Sequence, residues 1–192
     1  MEPEFAALQA PFDDRGAFSD ESLRLIKTLW TQEKVSFEGR YFSFTDMQAS
    51  PRPLQQPHPP IWVGGNSPRA RRRVAEFGDG WHVTAMPFDE LKAGIADARS
   101  KWARRGRPGE PVFSMRIPCS IEGVSQEILH YAPRRPGRDH LTGSFAAIVD
   151  RLGTYRDLGI HHLALEMSTQ SHGATVASLE AFATRIRPQL GA

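Results

Sequence analysis

Pro59-Pro60-Ile61-Trp62-Val63-Gly64-Gly65-Asn66-Ser67-Pro68-Arg69-Ala70, continued by Arg71-Arg72-Arg73-Val74-Ala75-Glu76-Phe77 and Gly78-Asp79-Gly80-Trp81, spells strand, glycine turn, helix, glycine stop and second strand. Ile61, Trp62 and Val63 form a short apolar run that suits a strand buried on both faces of a parallel sheet. Gly64-Gly65 ends it where the backbone turns sharply or meets something closely. Ser67 fits a helix N-cap, and Pro68 the first helical position, where its missing N–H costs nothing. Ala70, Val74 and Phe77 follow at helical spacing, and Gly78 closes the helix. The unpaired amides of such a helix start suit an anion, above all a phosphate. The same residues also satisfy a plainer reading, a β-turn-α unit whose glycines only serve the turn. No Walker loop is present.

Downstream, Trp81-His82-Val83-Thr84 reads as a second strand. A helix over 87–105 carries Phe88, Leu91, Ile95, Ala98 and Trp102 as an apolar stripe, with Gly106 as its stop. Phe113, Met115, Ile117, Cys119 and Ile121 alternate along a third strand over 112–121, with Pro118 marking the end of regular pairing. Residues 122–143 read as a long loop. Thr142-Gly143-Ser144 opens a helix that Gly159 closes. His162-Leu163-Ala164-Leu165-Glu166-Met167 is the fourth strand, and a last helix over 174–187 is expected to pack Val176, Leu179, Phe182 and Ile186.

Upstream, residues 1–18 read as an irregular lead-in. A helix follows with Ser19 as N-cap and Leu23, Ile26, Leu29 and Trp30 inward. Val35, Phe37, Phe42 and Phe44 flank Glu38-Gly39-Arg40 as a hairpin, and the proline-rich 51–60 is extended. Four strands alternating with helices predict a parallel sheet covered on both faces. Both a small open α/β sheet and half of an eight-stranded barrel fit that order. No composition shift marks a second domain, so residues 1–192 read as one.

The 192 residues suffice for a core, with 40% apolar and 24% charged residues. A formal charge of +2, dispersed among helix faces and the Arg134-Arg135 loop, argues against a nucleic-acid partner. The single cysteine, Cys119, excludes an internal disulfide framework and predicts a reducing, cytoplasmic location. No run approaches a membrane span, so no membrane partner is expected. No residues have metal-ligand spacing, and no paired carboxylates or nucleophile elbow stand out. His82 sits on a strand beside the glycine turn, as a hydrogen-bonding or proton-relaying group or as an ordinary core or surface histidine. His161 and His162 precede a strand and are assigned no chemistry.

The Pro59-to-Ser67 segment with Gly78-Asp79-Gly80-Trp81 resembles the luciferase-like monooxygenase family, in particular its branch that uses the deazaflavin coenzyme F420. Leu29-Trp30, Val35-Ser36-Phe37-Glu38-Gly39-Arg40-Tyr41-Phe42, Pro51-Arg52-Pro53-Leu54-Gln55, Leu141-Thr142-Gly143-Ser144 and Leu158-Gly159-Ile160 are similar to further landmarks of that family. The resemblance implies a TIM (β/α)8 barrel of the luciferase-like type. The four β-α units here correspond to its C-terminal half, and Met1-Glu2-Pro3-Glu4-Phe5 matches an internal point, as in an N-terminally truncated chain. It also implies hydride transfer or monooxygenation of a small organic substrate at a flavin-type ring held at the C-terminal strand ends. Those ends are expected at Gly64-Gly65, Thr84, Pro118-Cys119 and Met167-Ser168. Gly64, Gly65, Asn66, Ser67 and Arg69 would hold the cofactor phosphate, with Arg69 alternatively in solvent. Trp81 would close the wall beside it or serve as a core aromatic. Coenzyme F420 is the expected cofactor, with FMN as the alternative, and the resemblance names no catalytic residue. The rival expectation is a non-catalytic half-barrel module. Its unpaired edges and exposed apolar interior would drive homo-oligomerisation or pairing with another chain. A small open-sheet phosphate-binding domain is a third.

Overall fold

The computed structural model describes residues 2–125, 139–169 and 171–191, which fall into two compact units, Met1–Ile61 and Trp62–Ala192. In the first unit, α1 (Glu2–Ala7) and α2 (Arg15–Thr31) precede an antiparallel hairpin of β1 (Val35–Glu38) and β2 (Ser43–Met47). Part of the expected lead-in is therefore helical. Ser19 is not an N-cap: it lies inside α2, and its hydroxyl donates to the Arg15 carbonyl one turn back. The inward stripe is also displaced. Glu21 and Leu25 are buried, whereas Ile26 is 36% exposed. Glu21 decides the matter, because its carboxylate accepts from the backbone N–H groups of Arg40, Tyr41 and Phe42 at 2.8–2.9 Å. Gly39 makes room for it; a Cβ there would lie 2.3 Å from Glu21 Oε1. Burial alone would raise the Glu21 pKa, but the three amide donors outweigh it and hold the carboxyl below its ordinary value.

The second unit alternates β3 (Trp62–Gly64), α3 (Pro68–Phe77), β4 (Gly80–Thr84), α4 (Phe88–Arg104), β5 (Val112–Ile121), β6 (Leu141–Gly143), α5 (Phe145–Leu158), β7 (His162–Glu166) and α6 (His172–Ala181). Two further helical turns, Phe182–Ile186 and Arg187–Leu190, complete it. Ser67, Ser144 and Ser171 each accept from an amide three residues on, and Gly159 ends α5 in the left-handed conformation. All strand pairs of this unit are parallel, with β4 between β3 and β5, and β7 on β5. The strand β6 is a fifth, unexpected one. It is three residues long, pairs with Cys119, Ser120 and Ile121, and hides within the sequence signal of the helix start. β5 therefore runs unbroken through Pro118, so Pro118-Cys119 is not its end. Most of the 122–143 loop, including Arg134-Arg135, lies outside the described residues.

Strand alternation divides this sheet into two unlike faces. Val63, Trp81, Val83, Phe113, Met115, Ile117, Cys119 and Ile121 share one face, each at most 6% exposed. The other carries Trp62, Gly64, His82, Thr84, Ser114, Arg116, His162 and Glu166. The expected apolar interior is thus corrected: this face is mostly polar, because the apolar half of each alternation is spent on the opposite one. Trp62 is 42% exposed, so β3 is buried on one face rather than two. Its ring lies across Gly80, where a Cβ would come within 2.7 Å, and reaches His162 of β7 at a centroid distance of 5.0 Å. In a flat sheet the backbones of β3 and β7 would stand about 14 Å apart, so the sheet curls toward its polar face. In the last helical segment Ile186 is buried as expected, but Val176 and Leu179 are 37% and 54% exposed, and Ser178 is buried instead.

Candidate functional site

The loop between β3 and α3 lies at the rim of the polar face. Gly65 adopts φ +116°, a left-handed conformation that favours glycine. Its N–H donates to the His82 carbonyl at 3.1 Å, which ties the loop to β4. Its carbonyl accepts from Trp81 Nε1 at 2.8 Å. The Asn66 carbonyl accepts from Arg71 at 3.0 Å, and Arg71 is held in turn by Asp97 at 2.6 Å. Burial alone would raise the Asp97 pKa; hydrogen bonds and charge from Arg71 and Lys101 outweigh it and keep the carboxylate ionised. The Asn66 side chain spans to Thr84, donating to its carbonyl at 3.1 Å and accepting from its N–H at 3.2 Å. Ser67 Oγ accepts from the Ala70 N–H at 3.2 Å.

The carbonyls of Gly65 and Asn66 are thus drawn into the protein, and that of Ser67 accepts from the Arg71 N–H at 3.3 Å in the first turn of α3. Among the described residues, the N–H groups of Asn66, Ser67 and Arg69 have no acceptor. Three donors, a helix N-terminus and no competing carbonyl make the loop a one-signed surface that favours an anion. The predicted residues divide accordingly. Gly64, Gly65, Asn66 and Ser67 come together in this loop. Arg69 is exposed and makes no ion pair among the described residues, leaving its guanidinium free to meet an anion or solvent. Trp81 is 1% exposed, so it shapes the loop from behind through its N–H rather than offering a ring face to a ligand. Thr84 is at the site as expected for a strand end, but its tie to Asn66 was not foreseen, and Arg71 and Asp97 were missed. The Asn66–Thr84 and Arg71–Asp97 bonds join residues 18 and 26 positions apart, and nothing local in the sequence announces them.

Beside the loop, His82 Nδ1 lies 2.9 Å from Ser114 Oγ, and Ser114 is 3% exposed. Burial first, and the Arg116 charge second, push the imidazole below its ordinary value, so it is neutral at pH 7. Arg116 faces Glu166 at 3.1 Å. His161 is structural: its Nδ1 accepts from the Phe113 backbone N–H at 3.0 Å, and its backbone N–H donates to the Phe113 carbonyl at 2.8 Å. Cys119 is buried, which pushes its thiol up to about 11. Among the described residues no cluster of His, Cys, Asp and Glu has metal-binding geometry, and no helix is long and apolar enough to cross a membrane.

A parallel, curled β-α sheet, with helices on one face and a helix-opening loop at its strand ends, places the chain in the β/α-barrel class. The family follows from comparison. The luciferase-like monooxygenase model matches residues 1–184, and the chain belongs to that family. A curated relative, the FMNH(2)-dependent dimethylsulfone monooxygenase of Pseudomonas putida, is 37% identical over 106 residues, which are 54% of this chain and 29% of that protein. Monooxygenase RslO1 from Streptomyces bottropensis superposes with a TM-score of 0.77 at 20% identity, covering 97% of this chain and 65% of that one. An F420-dependent secondary alcohol dehydrogenase superposes at 0.74 with 16% identity, covering 94% and 63%. The fold is therefore that of luciferase-like barrels, of which the chain covers about half. The family holds both FMNH2-dependent and F420-dependent enzymes.

Proposed function

We propose that this chain carries the phosphate-holding part of a flavin-type site in a luciferase-like oxidoreductase acting on a small organic substrate. The observation that carries the reading is the set of free N–H groups at Asn66, Ser67 and Arg69, with the neighbouring carbonyls turned away by Trp81 and Arg71. FMN and coenzyme F420 share a ring, a polyol chain and a phosphate at its end, and the residues present fit that phosphate. When bound, the ring would supply hydride transfer in the deazaflavin case or, as reduced FMN, oxygen activation for monooxygenation. The Gly-Gly-Asn-Ser resemblance favours F420; the name of the curated relative favours FMN. The chain's own contribution is to fix the anion with backbone dipoles, which cost no reorganisation when it binds. A cytoplasmic location is part of the same reading.

A second reading, a module that associates through its sheet edges, is supported by a different observation. A largely apolar cleft of about 490 Å³ opens between α5, β7 and α6, lined by Leu152, Leu163, Leu165, Met167, Leu179 and Phe182 among others. Leu163 and Leu165 are only half-buried there, unlike Met115 and Ile117 at the same height of β5. Titrating the purified chain with F420 and, separately, FMN while following cofactor fluorescence and size-exclusion mass separates the two. Saturable binding of either cofactor, lost in Ser67→Ala/Gly65→Val, is the expected result. A folded, self-associating chain that binds neither would overturn the first reading in favour of the second.

A further inference from the structure

Several glycines of this chain are explained by the protein itself. A Cβ at Gly39, Gly80 or Gly94 would come within 2.3, 2.7 or 2.5 Å of a neighbouring side chain, and Gly65 has a left-handed backbone. Gly64 is different. Its φ is not in the left-handed region, and a Cβ there would meet nothing within 4 Å among the described residues. A strand gains nothing internally from such a glycine and is weakened by it. The remaining physical use of a missing side chain is close approach by something from outside the strand.

The neighbours of Gly64 indicate what approaches. In register beside it on the polar face is His82, and beside His82 is Ser114. The buried Ser114 hydroxyl holds His82 Nδ1, and Nε2 has no partner among the described residues. One row of the sheet thus presents bare backbone, then an oriented imidazole, and the anion-seeking amides begin two residues after Gly64. A phosphate ester held on those amides would carry the first atoms of its alcohol chain past this row. On the reading proposed above, that chain is the ribityl polyol common to FMN and F420.

We infer that Gly64, His82 and Ser114 form the seat of the ribityl chain: Gly64 lets it lie against the backbone, and His82 Nε2 hydrogen-bonds a ribityl hydroxyl. The chemistry matches. A neutral imidazole has one donor and one acceptor nitrogen, and a hydroxyl both donates and accepts. Arg116, whose charge acts on His82, is ion-paired with Glu166 on the same face. His162 ends the same row beyond Ser114, with its ring against Trp62. The inference rests on the phosphate reading and adds to it a seat for the chain, which can fail separately.

The test compares FMN with a flavin bearing a plain phosphopentyl chain, which keeps ring and phosphate and lacks the three hydroxyls. Dissociation constants are read from fluorescence, and melting curves check each variant. The wild-type chain is expected to prefer FMN about tenfold, as one or two neutral hydrogen bonds provide. His82→Phe should bind the two ligands equally, and Ser114→Ala, which leaves the imidazole untethered, should narrow the preference if the His82 variant is unfolded. Gly64→Ala should melt like the wild type and bind both ligands at least tenfold more weakly. Equal wild-type affinity for the two flavins, an undiminished preference in the folded His82→Phe or Ser114→Ala chain, or unchanged binding by Gly64→Ala would overturn the inference. If Ser67→Ala/Gly65→Val still abolishes FMN binding in that case, the phosphate reading stands alone. If the wild-type chain binds neither flavin nor F420, both fall.

Discussion

Replacing Gly94 with alanine should destabilise the wild-type chain and stabilise a Trp81→Phe chain. Gly94 lies in the middle of α4, where a glycine costs a helix about 1 kcal/mol relative to alanine. It is tolerated because a Cβ there would sit 2.5 Å from Trp81 Cη2 and 3.1 Å from Cζ3. Trp81 is 1% exposed and tied by its N–H to the Gly65 carbonyl, so it cannot swing aside. Overpacking of this kind costs about 1–3 kcal/mol, which meets or exceeds the propensity gain. Gly94→Ala alone should therefore lose up to about 2 kcal/mol. Trp81→Phe alone gives up one hydrogen bond, about 1 kcal/mol. It also leaves a void costing about 1–2 kcal/mol. In that background the atoms that met the new methyl are gone, and the alanine gains its helix preference of about 1 kcal/mol. The assay is urea unfolding followed by circular dichroism on the four proteins of the cycle. A coupling of about 1–3 kcal/mol with reversed sign is the expected result. Equal effects of Gly94→Ala in the two backgrounds would refute the steric account.

Three other outcomes follow from contacts already described. The Glu21 carboxyl titrates lower folded than unfolded, so its stabilisation is complete above the ordinary value of 4.5 and is lost as pH falls through the folded value. Melting temperatures of Glu21→Gln should be lower than wild type at pH 7 and flatter as pH falls below the ordinary carboxyl value of 4.5; parallel curves would discount the carboxylate. Cys119, buried with its thiol near 11, should resist alkylation at pH 8 in the folded chain and react fully in denaturant, read by mass spectrometry. Arg71→Met removes the donor that holds the Asn66 carbonyl, so anion affinity should drop about tenfold with a modest change in melting temperature. Unaltered affinity in that variant would separate carbonyl orientation from binding.

What could be read from the sequence was local. Ser67, Pro68 and Gly78 act within one helix, and their expected roles match the observed caps. The alternation of residues 112–121 correctly gives a single long strand because the period-2 signal is carried by consecutive residues. Ser19 misled because Asp20 and Glu21 imitate a first turn, while Glu21 is spent on a hairpin turn about twenty residues away. β6 escaped notice because three residues cannot show a period, and Gly143-Ser144 signals the following helix more strongly. The site divides in the same way. The loop glycines and Ser67 were visible, but Trp81 behind Gly65 and Arg71 behind Asn66 depend on how separate elements meet. A polar concave face was also hard to foresee, since His82, Ser114 and Arg116 look like ordinary solvent-facing alternation until the helices are seen to cover the other side.

The Asn66 side chain fills the hydrogen-bonding positions at Thr84 that one more residue of β3 would otherwise take. The loop and the end of β4 must then open as a single event. The Thr84 amide is in effect a tell-tale for the loop: its hydrogen–deuterium exchange counts loop openings, and an anion bound to the loop would slow that one amide without touching it. The protein carries its own occupancy gauge, eighteen residues from the loop it reports on.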